Sequence, residues 1–133
     1  KINNIEFIND SKATNIDSVI TAINSIKRNT ILLLGGQNKN SDFRLLLPHI
    51  KTNKVKLVIS YGESGGHINT VLGDAVRSYK EQDLNSAVNK AHNLAAAGDT
   101  ILLSPGCASF DEFLNFEDRG KSFKNYIKNL MVS

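Results

Sequence analysis

Short apolar runs alternate with amphipathic stretches along this chain. Residues 2–8 alternate loosely, with Ile2, Ile5, Phe7 and Ile8 apolar, and predict a first strand. A dense polar turn follows, Asn9-Asp10-Ser11-Lys12-Ala13-Thr14-Asn15. Ile16, Val19, Ile20, Ile23 and Ile26 then recur at helical spacing, with Asn15 as the cap and Asp17 suited to the first turn. Thr30-Ile31-Leu32-Leu33-Leu34 is a continuous run of the kind buried on both faces of a parallel sheet. The alternation continues with a helix over residues 43–50, capped by Ser41 or Asp42, and a strand over 55–60. Residues 61–66 form its exit turn. A short helix over 67–72 and a short strand over 76–80 come next. Leu84, Ala87, Val88, Ala91, Leu94 and Ala95 mark a further helix, which Gly98 is placed to end. Residues 100–103 give the fifth strand, and Phe123, Tyr126, Ile127 and Leu130 a last helix.

Strands that alternate with helices throughout predict an α/β fold. We expect a Rossmann-like, doubly wound, mostly parallel sheet of about five to six strands with helices on both faces. No linker, repeat or low-complexity segment divides residues 1–133, so they read as a single domain. Ligands in such a fold bind beyond the carboxyl ends of the strands, where the polar turns of this chain fall.

Composition narrows the function only by exclusion. The chain is 41% hydrophobic and 22% charged, with a net charge of +3, ordinary values for a globular domain. No lysine–arginine block or aromatic–basic interleaving suggests a nucleic-acid face. No apolar run approaches a membrane span, and no secretory leader is visible. A single cysteine, Cys107, precludes an internal disulfide and fits a reducing compartment. It lies among small residues without a local base and reads as core, not as a nucleophile. The start at Lys1, without Met and inside a strand, suggests a piece of a longer protein.

The densest candidate chemistry lies in residues 104–120. There Ser104-Pro105-Gly106 is expected to stop the fifth strand, and small residues lead to Ser109. Ser109 can cap a helix beginning at Phe110, with Asp111 and Glu112 at its positive end, and such a helix start also makes an anion site. Gly35-Gly36 and Gly65-Gly66 complete no phosphate-loop pattern and read as tight turns. Lys12 and Lys39 each follow a strand. With Thr14, Ser109 and helix-start N–H groups they could converge on an acidic small molecule. His49, His67 and His92 lack metal spacing, and the contiguity of Asp111, Glu112, Glu117 and Asp118 argues against a shared ion, so no metal site is expected.

These motifs occur together and in order: Asn9 to Asn15, Leu34-Gly35-Gly36 with Lys39 and Asp42-Phe43, and Ser104-Pro105 through Ala108-Ser109-Phe110-Asp111 to Asn115-Phe116-Glu117-Asp118-Arg119-Gly120. They resemble the carboxyl-terminal domain of the Mur ligases, over nearly the whole chain. Siblings that add diaminopimelate or lysine typically carry an Asp-Tyr-Ala-His-type turn after the first strand. Asn9-Asp10-Ser11-Lys12 here is most similar to the branch that adds D-glutamate to UDP-N-acetylmuramoyl-L-alanine. The resemblance implies a cytoplasmic, monomeric, three-domain enzyme of peptidoglycan synthesis. Its central domain, absent here, would bind most of the ATP and Mg2+. The L-alanine carboxylate becomes an acyl phosphate, which the D-glutamate amine attacks. By resemblance, Thr14, Lys39, Ser109 and the backbone N–H of Phe116 hold D-glutamate. Asp10 and Lys12 reach ATP, with Lys12 beside the reacting phosphate. Gln37-Asn38 replaces a frequent Asp-Gly before Lys39. A ligase for another amino acid, or a non-catalytic module for an acidic metabolite, remains the alternative.

Overall fold

A computed structural model describes residues 4–37 and 41–130. In chain order the elements are β1 (Glu6–Asn9), α1 (Ile16–Asn24), β2 (Thr30–Gly35), a 3-10 turn (Phe43–Leu46) running into α2 (Leu47–Thr52), and β3 (Val55–Tyr61). They continue with α3 (Gly65–Leu72), β4 (Ser78–Glu81), α4 (Leu84–Leu94), β5 (Thr100–Gly106) and α5 (Phe116–Leu130). The five strands are all parallel, in the order β1-β5-β2-β3-β4. The expected α/β class, parallel sheet and two helical layers are therefore present.

The alternation within β2 shows why its apolar run is unbroken. Leu32 and Leu34 pack with Ile16, Val19, Ile23, Phe43, Ile50 and Ile68, under α1, α2 and α3. Ile31 and Leu33 face the other way, into Leu84, Ala87, Val88, Ala91 and Phe123 of α4 and α5. Both faces of the strand are dry, so both sets of positions must be apolar. Each fully buried aliphatic side chain is worth about 1.5–3 kcal/mol. Local caps agree with the sequence reading: Asn15 Oδ1 accepts from Ser18 N at 2.9 Å, and the Asp42 carboxylate accepts from Arg44 N at 3.1 Å.

The connectivity builds one edge. The chain leaves β1, passes one strand position to reach β2, and steps outward to β3 and β4. α4 then returns across the opposite face, and β5 inserts between β1 and β2. The turns after β1, β5 and β2 thus become neighbours at the carboxyl edge.

Several expected boundaries move. Residues 1–3 of the expected first strand lie outside the described residues. β5 does not stop at Pro105 but continues through Gly106. Leu33 pairs with Leu103 and Gly35 with Gly106, so β5 carries one extra residue, and the bulge absorbs the N–H that Pro105 lacks. Gly65-Gly66 opens α3 instead of making a tight turn. α4 ends at Leu94 on an extended Ala95, and Gly98, at φ +94°, serves the turn beyond it. No helix begins at Phe110: the last helix starts at Phe116, capped by Asn115 Oδ1, which accepts from Asp118 N at 2.7 Å.

Candidate functional site

The β1 exit loop is fastened to β5 and α5 at each step. Asp10 N donates to Leu103 O at 2.8 Å, and its half-buried carboxylate accepts from Ser104 Oγ at 3.2 Å. Gly106 N donates to Ala13 O at 2.8 Å. Ser11 Oγ donates to the Phe116 carbonyl at 2.7 Å, and Asn9 Nδ2 to the Gly120 carbonyl at 3.4 Å. Lys12 stands exposed on this loop, and Thr14 is half-buried beside the start of α1.

The β5 exit holds Ser109, which is buried. Its carbonyl, not a helix-capping side chain, organises the next residues, accepting from Glu112 N at 3.2 Å and Phe113 N at 2.8 Å. This single turn cannot grow into a helix because its acids are engaged elsewhere. Asp111 Oδ2 accepts from Glu63 N at 3.0 Å, and Glu112 Oε2 from Leu84 N at 3.3 Å. Local side-chain bonds to backbone outcompete helix propagation here. Desolvation, reinforced by Asp111 and Asp83 against the Leu84 bond and Arg119, pushes the Glu112 carboxyl up to about 7. Phe116 opens α5, where its N–H has no intrahelical acceptor.

The β2 exit joins the same edge. Gln37 and Ala108 form an isolated antiparallel bridge. Gly35 must be glycine because a Cβ would lie 2.3 Å from Tyr61 O. Lys39 lies outside the described residues. Of the expected residues, Asp10, Lys12, Thr14, Ser109 and Phe116 are thus carried on fastened, adjoining loops.

A groove of about 320 Å3 opens between the β1 exit and α5, lined by Ser11, Lys12, Phe116, Glu117, Lys121 and Lys124 among others. A larger groove, about 790 Å3, runs along the outer edge of β1 beside α1 and meets the candidate residues only at Asp10 and Lys12. Cys107 is buried, and burial pushes its thiol up to about 12, which agrees with a core role. Among the described residues, no group of three or more His, Cys, Asp or Glu is arranged to hold a metal ion. No described helix is long and apolar enough to cross a membrane.

Two participants escaped the sequence reading. Ser11 is buried and central to the loop contacts. Arg119 is wholly buried, although it lies in a motif rich in exposed charges. A signal existed for Arg119. It stands four residues before Phe123, on the stripe that continues through Tyr126, Ile127 and Leu130, and a polar residue on an apolar stripe points inward.

Comparison with known proteins fits this arrangement. The family described as Mur ligase, glutamate ligase domain, matches residues 1–107. The chain belongs to the Mur ligase family. The Mur ligase domain is 44% identical over 126 residues to the UDP-N-acetylmuramoylalanine--D-glutamate ligase of Chlamydia caviae, covering 95% of this chain and 30% of that protein. It is 45% identical to the ligase of the same name from Thermosipho melanesiensis, covering 98% and 30%. For Christiangramia forsetii the figures are 43%, 98% and 29%. The Mur ligase domain therefore spans under a third of the length of these relatives. Its fold is also like that of E. coli FolC in complex with ADP, at a TM-score of 0.55 and 17% identity over 91% of this chain and 28% of that one; that likeness concerns the fold alone.

Proposed function

We propose that this chain is the carboxyl-terminal, amino-acid-binding domain of a cytoplasmic three-domain ligase. That enzyme adds D-glutamate to UDP-N-acetylmuramoyl-L-alanine in peptidoglycan precursor synthesis. The observation that carries the reading is the bond from Ser11 Oγ to the Phe116 carbonyl. It brings the motif after the first strand against the motif after the fifth, and both belong to the D-glutamate-adding pattern. The names of the relatives support the same choice.

D-glutamate brings two carboxylates and an amine. Thr14, Ser109 and the Phe116 N–H supply neutral donors, and Lys39 supplies a cation, so the carboxylates are bound while the amine is left free to attack. Fixing the amine on rigid strand ends lowers the entropic cost of reaching the acyl carbon. Asp10 and Lys12 face the nucleotide side, where Lys12 stabilises developing negative charge. ATP with Mg2+ supplies the phosphoryl group that activates the L-alanine carboxylate; the rest of the ligase holds the metal. The 133-residue chain alone is inactive, and the full enzyme is a monomer.

The test is ATP-dependent phosphate release by the full-length ligase with UDP-N-acetylmuramoyl-L-alanine and a panel of amino acids. Turnover with D-glutamate and not with L-lysine or diaminopimelate is expected. Turnover with one of those and not with D-glutamate would assign the chain to a sibling ligase.

A further inference from the structure

Arg119 is a charged side chain that the proposed chemistry leaves unused, and it is completely buried. Its Nε donates to Ser11 Oγ at 2.9 Å, its Nη2 to the Ser11 carbonyl at 2.7 Å, and its Nη1 to the Cys107 carbonyl at 2.9 Å. None of these acceptors is charged, and among the described residues Arg119 forms no ion pair. Packing does not explain it, because a methionine would fill the same place on the apolar stripe of α5 without the desolvation cost of a buried cation.

Its partners suggest its role. Ser11 adjoins Lys12 and passes a bond on to the Phe116 carbonyl. Cys107 is two residues before Ser109. A planar guanidinium with donors in a fixed fork can hold two backbone segments at a set distance and angle, which a flexible ammonium cannot do. Arg119 lies 108 residues from Ser11 and 12 from Cys107 in sequence, and the two segments it joins share one edge only through the inserted β5.

We propose that Arg119 is a positioning residue for the amino-acid substrate: its guanidinium clamps the β1 exit loop to the β5 exit loop and so fixes Thr14 relative to Ser109 and Phe116. This rests on the D-glutamate reading of the site. The role is geometric, so Arg119→Lys, which keeps the charge and loses the fork, fails as Arg119→Met does. The effect falls on D-glutamate and spares the UDP-linked substrate, for which this domain offers no proposed contact.

The experiment is steady-state kinetics of the full-length ligase, with each substrate varied in turn, for Arg119→Lys, Arg119→Met and Ser11→Ala. Misplacing a substrate contact costs up to about a hundredfold. We therefore expect Arg119→Lys to raise the D-glutamate KM by at least about tenfold, Ser11→Ala to raise it less, and the UDP-substrate KM to stay within about twofold. A folded Arg119→Lys enzyme with an unchanged D-glutamate KM overturns the proposal. So does a loss of activity in step with lost folded protein and no change in any KM. If the arginine variants do not fold, Ser11→Ala decides by the same criterion. Hydrogen exchange on wild type and Ser11→Ala separates this from the functional reading. Faster exchange at the amides of Cys107 to Ser109, with β2 and β3 unchanged, supports the clamp whatever the substrate, and unchanged exchange there refutes it. A wild-type enzyme without D-glutamate-dependent turnover counts against the functional reading alone.

Discussion

Gln37 and Ala108 exchange backbone hydrogen bonds, with the Gln37 amide donating to the Ala108 carbonyl at 2.8 Å and the Ala108 amide to the Gln37 carbonyl at 3.0 Å. This pair, just past the ends of β2 and β5, sets the segment leading to Lys39 beside the segment leading to Ser109. Gly36 adopts φ +123° next to it, and a Cβ there would lie 2.4 Å from the Ala108 carbonyl oxygen. Gly36→Ala should therefore lower stability by about 1–3 kcal/mol, the usual scale of backbone strain at such angles. Urea denaturation of the 133-residue chain measures it; an unchanged midpoint would mean that the bridge relaxes without cost.

Lys39→Ala in the full-length ligase should weaken D-glutamate and little else. A charge-assisted bond in a partly desolvated site is worth about 1.5–3 kcal/mol, or roughly ten- to a hundredfold in rate at low D-glutamate. Saturating D-glutamate should restore part of the rate. A weakened ATP constant with an unchanged D-glutamate constant would place Lys39 at the wrong ligand.

Glu112 should make stability fall as pH rises. Partial desolvation lifts the carboxyl of this partly exposed residue from 4.5 to about 7, so between these values the folded chain holds a proton that the unfolded chain has released. The stabilisation is complete below pH 4.5 and disappears as pH passes about 7. Glu112→Gln should flatten this part of the profile, and urea midpoints across the window for both chains test it. Parallel profiles would show that the Glu112 carboxyl titrates at its ordinary value.

Asp99 ties down the start of β5. Its carboxylate accepts from Lys56 Nζ and, at 2.7 Å, from Ala96 N, and the residue is 4% exposed. Asp99→Ala should cost about 1.5–3 kcal/mol by removing the charge-assisted bond to the Ala96 amide. A change in the urea midpoint too small to measure would show that water replaces the carboxylate.

The 133-residue chain alone should unfold cooperatively, show no ATP hydrolysis above background and bind D-glutamate weakly. Exposed ion pairs contribute only about 0–1 kcal/mol each. Amide shifts on D-glutamate titration should cluster near Thr14, Ser109 and Phe116. Shifts confined to the amino ends of the strands would refute the site.

The strand cores were legible because both faces of β2 and β5 are dry, with unbroken apolar runs at Ile31 to Leu34 and Ile101 to Leu103. The first-turn caps at Asn15 and Asp42 were legible because capping is a local bond. Residues 104–116 were not. There the outcome depends on partners distant in sequence: the bulge that accommodates Pro105, and the Glu63 and Leu84 amides that draw Asp111 and Glu112 out of a helix. Arg119 shows the same limit, since its place on the apolar stripe was visible but its acceptors at Ser11 and Cys107 were not.

The insertion of β5 has a consequence for synthesis of the chain. Among the described residues β1 pairs with β5 and with no other strand, and one edge of β2 waits for the same partner. Until Gly106 has left the ribosome, β1 has nothing to join, and an apolar strand edge stays bare. Parallel pairing over such separations is slow, and bare edges invite other chains. A nascent chain cut short of β5 should be held by chaperones, with their contacts centred on β1 and β2.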